Sequence, residues 1–436
     1  MTVVDAPERV LPRPYLAWLS GTTVARLGEA VLGFALGWAA SGHGGTTAAL
    51  VLTLNGLPRL VLLVVGGAVA DRFGARRLLV AGEAGLLALT VVLAVALARF
   101  GTPAWLLLAA SLALGTVTAF CLPAWGSMPR RLVEDDQLSR ALAVRQVVNQ
   151  TVLMVAAPLG GVLVGSAGLP AIAWGHAVTI CVSLGVLVVV RELSGPASDR
   201  VPDGLAEKTP AARARAPRLD LLDGFRVAAR APGLRAALLL TGAGAALILP
   251  VPSLLVPLLG RASGWGPGPT GIVAGAVGVG VIGAALLAAR RTAPTSAGGG
   301  APRAAGAGLA VSAAGVCLLA ACSLVDGPGA GVAAVVLGVV VAVVGALTFG
   351  FGNGMFVTRM APFVLGSAPR THLARVQALV GLVQLVPVMV TNNVLGVLAE
   401  HTAPGWALAA TAAGLAASAA WARRPAARKP RARDRA

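Results

Sequence analysis

Apolar runs of roughly 20 or more residues, broken by short clusters of charge, glycine and proline, recur along the whole chain. We read such runs near residues 15–40, 47–70, 78–99, 103–124, 141–165 and 170–190. A second set falls near 235–259, 268–289, 305–325, 330–356, 376–398 and 404–422. A helix rising about 1.5 Å per residue crosses a hydrocarbon core in about that length. Inside lipid the backbone must satisfy its own hydrogen bonds, so each run predicts one membrane-spanning helix. The alternation of apolar and polar positions that a membrane barrel needs is missing from these runs.

Composition supports that reading. Of 436 residues, 57% are hydrophobic and 12% charged, and the mean hydropathy is +0.82. A chain with so little polar surface has lipid as its solvent.

The formal net charge of +18 would suit nucleic acid if it gathered on one soluble face, but the arginines instead cluster between apolar runs, where they act as topology signals. With the N-terminus placed in the cytoplasm, nearly all Lys and Arg residues fall on that side; Arg99 and Arg261 face outward, and Arg26 and Arg59 lie within spans. Both termini are therefore expected to be cytoplasmic. The segment before Tyr15 carries Asp5, Glu8, Arg9 and Arg13 and no cleavage site follows the first run, so that run is expected to stay in the protein. Cys121, Cys181, Cys317 and Cys322 all sit within apolar runs without metal-ligand spacing, which predicts neither disulfide nor metal. Lys208 and Lys429 are the only lysines, and this Arg-rich, Ala- and Gly-rich composition resembles high-GC bacterial coding sequence.

The longest hydrophilic stretch contains Pro196, Pro202, Pro210 and Pro217 and halves the set of spans. It predicts a six-helix bundle over 1–190, a flexible cytoplasmic linker over 191–234, a second six-helix bundle over 235–422 and a basic tail over 423–436. A faint repeat at an offset of 231 residues maps Phe120 to Phe351, Leu142-Ala143 to Leu373-Ala374 and Gln146 to Gln377, which agrees with two related halves.

Between spans 2 and 3 the chain reads Gly66-Gly67-Ala68-Val69-Ala70-Asp71-Arg72-Phe73-Gly74-Ala75-Arg76-Arg77. The plain reading is a tight turn carrying positive-inside residues. In this position the pattern resembles the signature loop of the major facilitator superfamily. The resemblance implies an all-α membrane protein with twelve transmembrane helices in two six-helix bundles. It also implies a gating role for Gly67, Asp71, Arg72, Gly74, Arg76 and Arg77, which would latch one bundle to the other. Arg26-Leu27-Gly28-Glu29, Leu57-Pro58-Arg59, Phe120-Cys121-Leu122-Pro123-Ala124, Pro129-Arg130-Arg131 and Leu138-Ser139-Arg140-Ala141 are similar to the enterobactin-exporter and macrolide-efflux branch. Ala157-Pro158-Leu159-Gly160-Gly161 resembles the exporter motif G-P-x-x-G-G with one position changed and one missing. Pro158, Gly160 and Gly161 are equally readable as a helix-packing motif, since small residues let helices approach closely.

Ionisable groups within the membrane are costly unless paired or facing a cavity, so each is a candidate for function. Arg26 and Glu29 share one face of span 1, with Glu29 roughly 20 Å along the helix from its cytoplasmic end. Glu29 with Arg26 is the expected proton-coupling site, or else the two form a structural pair. Arg59 and Glu83 lie about 16 Å and about 9 Å from their shared loop by helix rise, which predicts a salt bridge between spans 2 and 3 or a place in the substrate cavity. Asn55, Gln146 and Asn149, with Gln384 and Asn392 in span 11, are cavity candidates that could equally bond between helices. His176 is expected to be a packed histidine. Asp326 and Glu400 stand at outer ends of their spans, which leaves coupling to the first bundle.

Catalytic and nucleotide-binding motifs are missing from the sequence, which disfavours an enzyme and ATP-driven transport. The expected function is a secondary active transporter in the bacterial inner membrane. It would export small hydrophobic or cationic compounds of drug, antibiotic or siderophore type by proton antiport, as a monomer with no cofactor and no nucleic-acid partner. The alternative is import of a small nutrient by proton symport, for which a single tyrosine is a poor cavity endowment.

Overall fold

The computed structural model describes residues 10–65, 75–190, 232–290, 300–325, 331–367 and 373–423. The signature loop through Gly74 and nearly all of the expected linker and of the basic tail lie outside them. Among the described residues all regular structure is helical.

The first half contains α1 (Arg13–Ser41), α2 (Gly45–Val65), α3 (Ala75–Phe100), α4 (Ala104–Leu132) and the long run Leu138–Val189. That run breaks at Gly168, whose φ of 78° and ψ of 171° leave helical geometry, so it is two helices, α5 (138–167) and α6 (169–189). A left-handed φ is cheap for glycine alone, and Pro170 then re-starts the helix from its first turn. Two helices are thus joined with almost no polar loop between them.

The second half opens with α7 (232–262). It comprises Pro232–Ile248, a π-helical turn at Val251–Leu255 and the segment Val256–Ala262. Pro250, Pro252 and Pro257 each lack a backbone donor, and the ladder loosens to the wider turn where they crowd together. Then follow α8 (Pro267–Arg290), α9 (Gly300–Val325), α10 (Val332–Ser367), α11 (Leu373–His401) and α12 (Pro404–Arg423). Nine continuous stretches among the described residues are long and apolar enough to cross a membrane, the 138–189 run counting once. The set of twelve is completed by α12 and by α1, whose apolar run is interrupted by Arg26 and Glu29.

The described residues fall into two compact units, one within Met1–Leu36 and Leu54–Asp220, the other within Gly37–Thr53 and Leu221–Ala436. In the first, α3 packs on α4 and against the 138–189 run. In the second, glycines sit at close helix approaches. A Cβ on Gly350 of α10 would fall onto the carbonyl oxygen of Val277 in α8, so the two backbones touch there.

The hairpin tip 37–53 is held within the second unit by polar contacts. Arg261 lies 4.0 Å from the centre of the Trp38 ring. It donates to the Trp38 carbonyl oxygen at 2.9 Å and to Ser41 Oγ at 3.4 Å. Glu400 Oε2 accepts from the Thr46 backbone N–H at 2.7 Å, and Asn393 Nδ2 donates to Thr53 Oγ1 at 2.8 Å. Arg261→Ala is expected to lower the stability of this unit by about 1–2 kcal/mol, the sum of an exposed cation–π contact and one net hydrogen bond. Arg261→Lys should recover less than half of that, because an ammonium cannot lie flat on the indole while reaching the carbonyl. Thermal unfolding in detergent measures both.

Candidate functional site

Within the first unit, α1 is the axis of the site. Its residues Thr22, Ala25, Arg26, Glu29, Leu32 and Leu36 line a cavity shared with Asn55 of α2, Glu83 and Leu86 of α3, Leu114 and Trp125 of α4, and His176 and Ile180 of α6. Most of the wall is aliphatic or aromatic. The polar exceptions are the groups whose burial in a membrane protein requires an explanation.

Packing brings α6 onto α1 at Gly28, where a Cβ would collide with the Thr179 hydroxyl and stand 2.8 Å from His176 Nδ1. The small residue between Arg26 and Glu29 therefore lets α6 close the back of the cavity. His176 is buried at 5% exposure, with Nδ1 3.3 Å from Thr179 Oγ1. Gly160 of α5 plays a similar part on the other side of α1, since a Cβ there would lie 3.0 Å from the Phe34 ring. Its neighbour Gly161 is buried too, and Pro158 sits in the same helix.

Three charges form one cluster. Arg26 Nη1 lies 3.8 Å from Glu29 Oε2, and Arg59 Nη2 lies 4.0 Å from Glu29 Oε1. The Arg26 guanidinium also stacks 4.7 Å from the centre of the Trp125 ring. Glu29 thus bridges two guanidinium groups from two helices.

The expected Arg59–Glu83 salt bridge does not form. Glu83 turns toward α6, where its Oε1 accepts from Ser183 Oγ at 3.1 Å, and Arg59 turns toward α1. Height along two helices predicts whether side chains can meet; rotation about each helix axis decides whether they do, and tertiary packing sets that rotation.

A second, more polar cavity adjoins the first and shares Thr22, Arg26 and Trp125 with it. Trp18, Thr23, Arg145, Gln146 and Asn149 line the remainder. Arg145, counted with the cytoplasmic loop by its position in sequence, stands in the second turn of α5. It donates to the Trp125 carbonyl oxygen at 3.3 Å, with its guanidinium 5.9 Å from the Trp18 ring. Asn55 Nδ2 donates to the Ser111 carbonyl oxygen at 3.5 Å, linking α2 to α4 at the edge of the first cavity.

The structure therefore brings Arg26, Glu29, Asn55, Arg59, Glu83, Gln146 and Asn149 into one unit around two adjoining cavities. Gln384 and Asn392 stand on α11 in the second unit and line neither cavity; Asn392 is buried at 5% exposure with its Oδ1 unbonded. Gly67, Asp71, Arg72 and Gly74 fall outside the described residues. Arg76 donates from Nη2 to the carbonyl oxygens of Leu187 and Val188 at 3.3 and 2.9 Å, so it caps the C-terminus of α6. Arg77 is exposed beside it. Trp125 is not among the residues the sequence singles out, because the apolar run near 103–124 stops one residue short of it; an indole among small residues at that edge is the available signal.

The sequence profile of the Major Facilitator Superfamily matches residues 18–391. The chain belongs to the major facilitator superfamily. This facilitator is thus a transporter, embedded in the membrane and acting on small molecules. Among solved structures, the POT family transporter PepTSo superposes with a TM-score of 0.67 at 13% identity, covering 95% of this chain and 97% of that one. The nucleoside transporter NupG gives 0.66 at 12% identity, covering 94% and 98%. A bacterial homologue of the iron transporter ferroportin, in its inward-facing state, gives 0.64 at 15% identity, covering 95% and 100%. At these identities the likeness is one of fold. No curated protein sequence matches this facilitator.

Proposed function

We propose that this facilitator exports small lipophilic or cationic compounds in exchange for protons, as the resemblance to the enterobactin-exporter and macrolide-efflux branch implies. In this reading both termini lie in the cytoplasm of a bacterial cell and the working unit is a monomer. One observation carries it: an aliphatic and aromatic cavity whose wall holds Glu29 between Arg26 and Arg59. Leu32, Leu36, Leu86, Leu114, Ile180 and Trp125 offer an apolar body a dry surface of its own kind.

Glu29 supplies the exchange. A proton on its carboxylate weakens its attraction to both guanidiniums at once, whereas a cationic substrate needs that carboxylate ionised. Proton and cation then compete for one group, which is the condition for antiport. With both bound by turns on the same carboxylate, the proton gradient drives the compound outward.

The test is uptake of lipophilic cationic dyes into inside-out vesicles under an imposed pH gradient, wild type against Glu29→Gln. Gradient-driven accumulation by the wild type, reduced at least tenfold in Glu29→Gln, is the expected result. Accumulation that ignores the gradient would remove proton coupling, and no accumulation of any dye in the panel would remove the exporter reading.

A further inference from the structure

Glu83 is the most deeply buried acidic side chain in the first unit that the described residues contain, at 3% exposure, against 35% for the side chain of Glu29. Its two oxygens differ. Oε1 accepts from Ser183 Oγ at 3.1 Å, whereas Oε2 is buried with no hydrogen-bond partner. Among the described residues no guanidinium lies within ion-pairing distance of either oxygen; the two arginines of the cavity are engaged with Glu29 instead.

The polar groups that share the cavity wall with Glu83 come from four helices. Arg26 and Glu29 come from α1, Asn55 from α2, Trp125 from α4 and His176 from α6, all on the wall of the same cavity. Packing of α3 on α4 is tight there, since a Cβ on Gly82 would collide with Cys121 Sγ. His176 and Ser183 are seven residues apart on one face of α6, with Ile180 between them, so α6 presents an imidazole to the cavity and a hydroxyl to the acid of α3.

An ionised carboxylate in this position would have Ser183 on one oxygen, the Trp125 indole beside it, no counter-ion and a buried second oxygen without a geometric hydrogen bond. A proton on that oxygen removes the charge and turns a bare acceptor into a hydroxyl, with Ser183 still bonded to the other oxygen. From these contacts we propose that Glu83 is the carboxyl that holds a proton inside the cavity, taken up on Oε2 from water and returned to water. This rests on the proton-exchange reading above and deepens it. Glu29 remains the carboxylate for which proton and substrate compete at the more open part of the wall, and Glu83 holds a further proton behind it.

Infrared spectroscopy of the full-length protein in lipid, with no substrate present, tests this directly. A carbonyl-stretch band of a protonated carboxylic acid in an apolar setting is expected at neutral pH in the wild type. It should persist in Glu29→Gln, vanish in Glu83→Gln, and move to higher frequency in Ser183→Ala, where the acid is kept but its hydrogen bond is removed. Ser183→Ala also guards against misfolding of Glu83→Gln, because it leaves the carboxyl in place. A band that survives in Glu83→Gln, or a wild type without one, would overturn the proposal. In the same vesicles as above, Glu83→Gln should lose gradient-driven dye accumulation at least tenfold while retaining dye exchange without a gradient. If the band behaves as expected but wild-type vesicles move no dye, the exporter reading fails and the assignment of the proton to Glu83 stands.

Discussion

Gly350→Val is expected to abolish folded protein, reducing the monodisperse fraction that survives detergent extraction to below a tenth of wild type. The Cβ of any residue at 350 would fall onto the Val277 carbonyl oxygen and within 2.9 Å of the Val277 Cα. Both are backbone atoms of a helix, so no side-chain rotation relieves the clash; α8 and α10 must separate. In lipid nothing hydrophobic pulls them back together, since the tails are as apolar as the helices, and the association rests on close van der Waals contact. Valine adds a branched side chain to that contact, and the cost is about 3 kcal/mol or more. Gly175→Ala serves as the contrast: nothing lies within 4 Å of a Cβ there. Alanine also gains up to about 1 kcal/mol of helix propensity over glycine. Size-exclusion profiles of the two variants should therefore move in opposite directions.

Removing the Glu29 carboxylate should destabilise the first unit by about 2 kcal/mol, and removing Arg59 with it should restore most of that loss. In Glu29→Ala two guanidiniums remain with no carboxylate within ion-pairing distance, and leaving a charge behind costs more than the pair itself contributes. A fully buried pair would lose about 3–5 kcal/mol on such a change. Here the three side chains are 34–36% exposed, which is why the smaller figure applies. Arg26 keeps its stacking on Trp125, so the penalty falls mostly on Arg59, whose Nε is already buried without a partner. Thermal unfolding of Glu29→Ala, Arg59→Ala and the double variant gives the cycle; a double variant as unstable as the sum of the two singles would show that the charges are independent.

Most span positions were legible in the sequence, and the two clear misjudgements share a cause. The apolar run near 103–124 predicts a helix that ends there, yet α4 continues to Leu132 through Pro123, Pro129 and two arginines. The run near 330–356 likewise ends well before α10, which reaches Ser367 past Arg359 and Pro362. Hydropathy marks where lipid ends, whereas a helix ends where its hydrogen bonds find a cap. Arg359 Nη1 donates to the Met355 carbonyl oxygen of its own helix at 2.9 Å, so charge and helix coexist there. The site was legible as a set of residues and illegible as a set of partners. Arg26–Glu29 is a pair within one helix and could be read from spacing; Arg59–Glu29, Glu83–Ser183 and Arg145 with Trp18 join residues far apart in sequence.

By itself the sequence pointed to lipid as the solvent and to a series of apolar runs that are helices among the described residues, with Glu29 and Glu83 as the acids well inside runs of the first half. These follow from run length, charge placement and the obligation of every backbone group in hydrocarbon to bond internally, all of which are local. Only the tertiary structure decided which carboxyl meets which guanidinium and which stands alone. That depends on the rotation of each helix about its own axis, and contacts such as Gly28 against α6 and Gly350 against α8 set those rotations to within an atom's width.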